Sequence, residues 1–129
     1  MTEPVWIERA ALEALHGRSL QQFGGPPGIR DDNLFESALA RPKNLFAYTG
    51  ISDIPLLAAS YAFGLAKNHA FIDGNKRVAF QAMTLFLARN GYSLVADKLD
   101  SITTFLALAA GDLTEDQLAT WIRDHMVAR

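Results

Sequence analysis

Apolar residues recur along most of this chain at helical rather than alternating spacing. Ile7, Ala11, Leu12 and Leu15, with Leu20 beyond them, predict an amphipathic helix after Pro4. The run Gly24-Gly25-Pro26-Pro27-Gly28 must end it. Asp31 or Asp32 is placed to cap a short second helix with Leu34, Phe35, Ala38 and Leu39 on its apolar side, and Pro42 predicts its stop. Residues 43–53 then read as a long connection, of the kind that often lies over a site. Asp53-Ile54-Pro55 opens a third helix through Leu57, Tyr61, Ala62 and Leu65 towards Lys67. Asn75 to Arg89 is apolar on nearly every side (Val78, Phe80, Met83, Leu85, Phe86, Leu87), the pattern of a central buried helix, and Asn90-Gly91 ends it. Tyr92–Val95 reads as briefly extended. Two more helices follow, about Leu99–Ala110 and Glu115–Met126, the last opened by a capping box of Thr114 and Gln117. With no strong strand pattern, the predicted class is all-α: a compact helical bundle around the helix at 75–89, in a single domain over residues 1–129.

Composition narrows the function classes. The chain has 129 residues, half of them apolar, which suits one domain with a real core. Lys plus Arg is 12 against 14 for Asp plus Glu, a net charge of −2, which argues against direct nucleic-acid binding. The absence of cysteine excludes disulfides, thiol catalysis and Cys-ligated zinc. No run approaches the roughly 20 apolar residues of a membrane span. Met1–Ile7 carries Glu3 and no apolar core of a secretory signal, so a cytoplasmic location is expected, with no membrane partner.

The candidate chemistry is concentrated in His69-Ala70-Phe71-Ile72-Asp73-Gly74-Asn75-Lys76-Arg77. Five polar or ionisable side chains fall within these nine residues, just before and inside the first turn of the most apolar helix. Free N–H groups and the positive end of the helix dipole make that turn an anion site. Lys76 and Arg77 oppose the dipole there, and an anionic ligand such as a polyphosphate reverses the sign of that effect. Asp73 suits a magnesium ion shared with substrate oxygens. Gly74 permits close backbone approach or positive φ. Phe71 reads as an anchor for the loop, and His69 as its one neutral-pH general base. Each residue alone has an ordinary structural role as a cap or a solvated charge, but few structural needs place all of them at one end of a core helix.

At lower weight, Lys67 is a candidate phosphate ligand or a helix-end cation, and Gln81, four residues after Arg77, could orient it. His16 and His125 read as solvated, and Trp6 and Trp121 as core packing rather than the frame of a partner groove.

The string HAFIDGNKR is similar to the signature of the Fic/Doc superfamily, His-x-Phe-x-Asp/Glu-Gly-Asn-x-x/Arg, and Lys76 matches its Doc (death-on-curing) toxin branch, where most Fic enzymes have Gly. The segment Gly24–Gly28, "LFLARNGY" and "AAGDLTEDQLATWIR" also resemble that branch, so the similarity covers nearly the whole chain. The resemblance implies an all-helical fold, ATP as substrate and Mg2+. It assigns His69 to deprotonate the attacking hydroxyl, Asp73 to the metal, and Gly74, Asn75, Lys76 and Arg77, with Lys67 nearby, to the nucleotide; His69, Lys76 and Arg77 form the catalytic set. It implies a protein kinase that moves the γ-phosphoryl group of ATP to a threonine, with elongation factor Tu as the expected target, so that translation is blocked. The competing readings are a Fic-type AMP transferase and a non-catalytic antitoxin-binding module.

Many Fic enzymes carry an inhibitory helix with Ser or Thr four residues before Glu. No Ser or Thr here has Glu at that spacing, so inhibition in cis is not expected. The resemblance implies instead a separate Phd-like antitoxin whose disordered segment folds into a groove, expected near residues 43–53.

Overall fold

The third and fourth helices lie side by side at the centre of the structure. The computed structural model describes residues 3–129. In chain order its elements are α1 (Arg9–Phe23), α2 (Asp32–Thr49), α3 (Ile54–Asn68), α4 (Asn75–Arg89), β1 (Tyr92–Leu94), α5 (Lys98–Ala110), α6 (Glu115–His125) and β2 (Met126–Ala128). The all-α bundle expected from the sequence is what forms. Its centre, however, is a pair of helices, and α3 is the more enclosed member: ten of its fifteen residues are buried, against seven of fifteen in α4. Small residues explain this. Ala58, Ala59, Ala62, Gly64 and Ala66 let α2, α4 and α6 all approach α3 closely. A Cβ on Gly64 would stand 3.2 Å from Arg41 Cδ and 3.4 Å from Ala38 Cα, so α2 and α3 touch almost backbone to backbone.

The helix starts follow the sequence closely. Asp31 caps α2 at the Leu34 N–H (3.0 Å), Asp53 caps α3 at the Leu56 N–H (3.3 Å), and Asp97 caps α5 at the Asp100 N–H (2.8 Å). The Thr114–Gln117 capping box closes in both directions, at 3.1 and 2.9 Å.

Two boundaries differ from expectation. Pro42 does not stop α2, which continues to Thr49 and ends at Gly50 in the left-handed conformation (φ 73°). Proline removes one helical hydrogen bond, but Pro42 is itself buried, and the apolar stripe Phe35–Ala38–Leu39–Pro42 runs on to Leu45, packed against the core, and to Phe46, which meets Trp6. Burial of that continuing stripe outweighs the lost bond, and the expected connection at 43–53 shrinks to Gly50–Asp53. The second difference is that α6 stops at His125. Met126–Ala128 pairs antiparallel with Tyr92–Leu94, with Ser93 opposite Val127. The short extended segment was expected, but its partner was not.

The N-terminal segment is pinned to this core. Trp6 stacks on Phe86 (5.9 Å) and meets Phe46 edge-on (5.8 Å), so it packs as expected. The Ile7 N–H donates to the Tyr61 hydroxyl at 3.1 Å, and burial pushes that phenol above its ordinary pKa. Arg9 ties α1 to α2 through Asp32 and Glu36 and lies over the Phe35 ring, holding the Asp32 carboxyl below its usual range. No helix among the described residues is long and apolar enough to cross a membrane. Because Phe86 joins Trp6, Tyr61 and the α3–α4 contact, Phe86→Ala is expected to destabilise the fold by about 3–5 kcal/mol, read as a lower denaturant midpoint.

Candidate active site

The motif loop connects the two central helices and is held from three sides. Leaving α3, the chain turns at His69 with φ 49° and ψ 48°, the only non-glycine residue with positive φ among the described residues. That conformation costs an L-residue roughly 1–2 kcal/mol. Phe71 then enters the core. Its ring stacks on His16 of α1 (centroids 3.9 Å apart, planes at 26°) and packs against Phe35 of α2 at 4.9 Å. Asn75 takes both backbone groups of Phe71: the Phe71 N–H donates to Asn75 Oδ1 at 3.0 Å, and Asn75 Nδ2 donates to the Phe71 carbonyl at 2.9 Å. Residues 28–31 run alongside as a short β-bridge, Ile29 opposite Phe71. There the Ile72 N–H donates to the Gly28 carbonyl, and the Arg30 and Asp31 N–H groups both donate to that of Ala70.

The start of α4 is open. Gly74 is left-handed (φ 81°), no side chain caps the helix, and the first helical bond is from the Val78 N–H to the Gly74 carbonyl at 2.9 Å. The N–H groups of Asn75, Lys76 and Arg77 therefore have no carbonyl partner within the helix. With no acidic residue in that turn, the dipole and both cations act together on whatever anion approaches. Asp73 lies just before it. One carboxylate oxygen accepts the Gly74 N–H at 2.8 Å. The other lies against Gly25, where a Cβ would stand only 2.4 Å away. The Asp73 carbonyl accepts a hydrogen bond from His16 Nε2 at 2.7 Å, which makes that nitrogen the protonated one.

These side chains share one cleft of about 880 Å³. His69, Asp73, Gly74, Asn75, Lys76 and Arg77 form a polar wall. Ile102, Phe105, Leu106 and Ala109 of α5, with Phe23 and Phe80, give the cleft its apolar lining, and Lys98 adds a cation. Such a size and division suit a ligand with an anionic end and a flat apolar end. Among the described residues no three His, Asp or Glu side chains gather to hold a metal by themselves. A single exposed carboxylate beside an anion site instead fits magnesium, which keeps few protein oxygens and completes its shell with substrate oxygens and water.

Several sequence-based assignments change here. Lys67 is absent from the cleft lining; its ammonium is exposed, 5.6 Å from the Phe63 ring and beside Gly111. Gln81 does not reach Arg77. It lines a separate hollow with Leu15 and Leu94, whereas Arg77 contacts Ser19 Oγ (3.3 Å) and the Phe23 ring (4.3 Å). Asn75 commits its carboxamide to Phe71, which leaves its backbone N–H as the group facing an anion. His16, expected in solvent, is 5% exposed. Its neighbours in sequence are small or charged, while its neighbours in space come from the motif. A signal was present: Leu12, His16 and Ser19 follow helical spacing, so the buried stripe of α1 continues through polar positions towards the site, where exposed Phe23 follows. His125, also expected in solvent, is half-buried and bonded to Asp100 and the Trp121 carbonyl. None of residues 43–53 lines the cleft; Asn44, Leu45, Tyr48 and Thr49 border a different hollow with Ser37 and Arg41.

Comparison with known proteins identifies the family. The model of the Fic/DOC family matches residues 6–87, which span α1 to most of α4. The chain is 33% identical over 117 residues to the protein kinase doc of Escherichia phage P1, covering 91% of this chain and 92% of that protein. It is 44% identical over 78 residues to the toxin Doc of Mycolicibacterium smegmatis, covering 58% of each.

Two substitutions probe the loop. Asn75→Ala leaves both backbone groups of buried Phe71 unpaired and is expected to cost roughly 2–4 kcal/mol in chemical denaturation, with faster amide exchange across residues 71–75. Gly25→Ala crowds the Asp73 carboxylate. At φ 116° it also strains the backbone, so the variant is expected to lower the denaturant midpoint and to shift the amide NMR signals of Asp73 and Gly74.

Proposed function

Because the chain belongs to the Fic/Doc family, we propose that it is the toxin of a bacterial toxin–antitoxin pair and a protein kinase. In this reading it transfers the γ-phosphoryl group of ATP to a threonine hydroxyl, with elongation factor Tu as the target. The names of its relatives, a protein kinase and a toxin, support the class. The observation that carries the chemistry is the joining, on one wall of one cleft, of a candidate base (His69) with the uncapped, cationic start of α4.

The residues divide the work as follows. The free N–H groups of the first turn, with Lys76 and Arg77, hold the phosphates and stabilise the charge that develops during transfer. The apolar wall of α5 receives the flatter part of the nucleotide and excludes water. His69 takes the proton of the attacking hydroxyl as its oxygen bonds to the γ-phosphorus, the bond to the bridging oxygen breaks, and ADP leaves. Asp73 is the residue that would hold Mg2+, which when bound neutralises phosphate charge. Phe71 and Asn75 keep these groups in place, and positioning of this kind supplies much of the acceleration in phosphoryl transfer.

The same surface suits a Phd-like antitoxin. Ile102 and Leu106 of α5 are 47% and 53% exposed beside Lys76, Arg77 and Lys98, so an acidic amphipathic segment would find both an apolar strip and cations. In this reading the antitoxin groove runs along α5, while Asn44, Leu45, Tyr48 and Thr49 border a different hollow.

Mass spectrometry of elongation factor Tu after incubation with the protein, ATP and Mg2+ tests the reading. The expected product carries one added phosphate on a threonine. Addition of AMP would move the assignment to nucleotidyl transfer, and no addition would remove the target. His69→Ala is expected to slow transfer by roughly 10²–10⁴-fold and to abolish toxicity in a bacterial cell; a variant as toxic as the parent would end the catalytic reading.

A further inference from the structure

Arg30 meets three consecutive carbonyl groups at the end of α3. Its Nε donates to the His69 carbonyl at 2.7 Å, its Nη2 to the Asn68 carbonyl at 3.1 Å, and its backbone N–H to the Ala70 carbonyl at 2.7 Å. We infer that Arg30 is a positioning residue for His69 in the transfer reaction, an inference that rests on the general-base reading above.

The other helix ends in the chain set the contrast. α2 and α5 close on Gly50 and Gly111, both left-handed, with the cap N–H returning to Phe46 in the first and to Ala107 and Leu108 in the second. Glycine makes that turn without strain and without outside help. α3 makes the same left-handed turn with a histidine in it, and an arginine 39 residues away in sequence holds the carbonyl of that histidine. A helix end that only had to stop would be served by glycine. Here the side chain at the turn is one the chemistry requires, so the backbone beneath it needs a separate restraint.

Arginine suits that restraint because its planar fork donates in two fixed directions at once, whereas lysine offers a single flexible point. Arg30 does not line the cleft. Its effect passes through the backbone: the Asn68 and His69 carbonyls belong to the peptides before and after the His69 Cα, so holding both fixes φ and ψ at residue 69, and these set the direction from which the imidazole leaves the chain. A general base works only within hydrogen-bond reach of its proton, and a displacement of about 1 Å can lower a rate on the order of 100-fold. The segment carrying Arg30 is itself bridged to the motif through Ile29 and Phe71, so the guanidinium acts from a fixed platform.

The test uses the full isotope-labelled chain and the variants Arg30→Gln and Arg30→Lys. In Arg30→Gln, the His69 Cα and Cβ chemical shifts are expected to move away from left-handed values, and the ring signals to broaden. ATP affinity in the presence of Mg2+, which depends on the start of α4, is expected to stay within about 2-fold. The transfer rate is expected to fall about 10- to 100-fold at nearly constant KM for ATP, with Arg30→Lys in between. Unchanged His69 signals in Arg30→Gln would overturn the inference. So would a parallel loss of ATP affinity and melting temperature, since Arg30 would then serve the fold alone. If the unsubstituted chain transfers nothing, the proposed reaction fails, and the His69 signals still decide whether Arg30 sets that residue.

Discussion

Phe71 is where the structure and the candidate chemistry meet. Its ring is clasped by His16 from α1 and Phe35 from α2, and its backbone is bound on both sides by Asn75 from the first turn of α4. One buried aromatic residue thus fixes the relation of three helices. The polar residues on either side, His69 at the end of α3 and Asp73 before α4, inherit their places from it. An apolar anchor is effective here because packing in a core is dense and tolerates little displacement. The loop carries reactive groups at its surface and a plug beneath.

Around that anchor, local preference yields to the needs of a site. α2, α3, α5 and α6 all begin with a side-chain cap, but α4 does not. Its first turn also holds two cations that the helix dipole disfavours. A histidine occupies a backbone conformation that glycine would adopt more easily. Each departure lowers stability slightly, and all three fall within the nine residues of the motif. The start of α1 is likewise uncapped and opens on Arg9, but only the motif gathers all three departures, and that coincidence is what informs about function.

The cleft depends on elements remote in sequence. α1 and the turn after it supply His16, Ser19, Phe23 and Gly25, and α5 supplies the apolar wall. Gly25 shows how close the assembly is: the site accommodates the Asp73 carboxylate where any larger residue would carry a Cβ. The motif contributes charge and reactivity, and the flanking helices contribute shape.

Much of this was legible in the sequence. Helical periodicity, the Asp and Thr caps and the Asn90-Gly91 stop predicted six helices, because these signals act within a few residues and need no tertiary contact. The unusual density of His, Asp, Asn, Lys and Arg at one helix start likewise pointed to the candidate anion site. Other features required the folded chain. Pro42 reads locally as a stop, and only burial of the stripe beyond it keeps α2 going. β2 exists because β1 lies beside it, and strand pairing leaves little trace in three residues. His16 reads as a surface histidine until Phe71 and the Asp73 carbonyl, more than fifty residues away, are brought against it. Arg30 and Lys67 are the clearest pair. Lys67 is two residues from His69 and lies outside the cleft lining, whereas Arg30 is far along the chain and holds its backbone. Sequence sets the conformational preference of each segment and the chemistry it carries; which side chains share a site is decided by packing, since distance along a chain sets no distance in a compact fold.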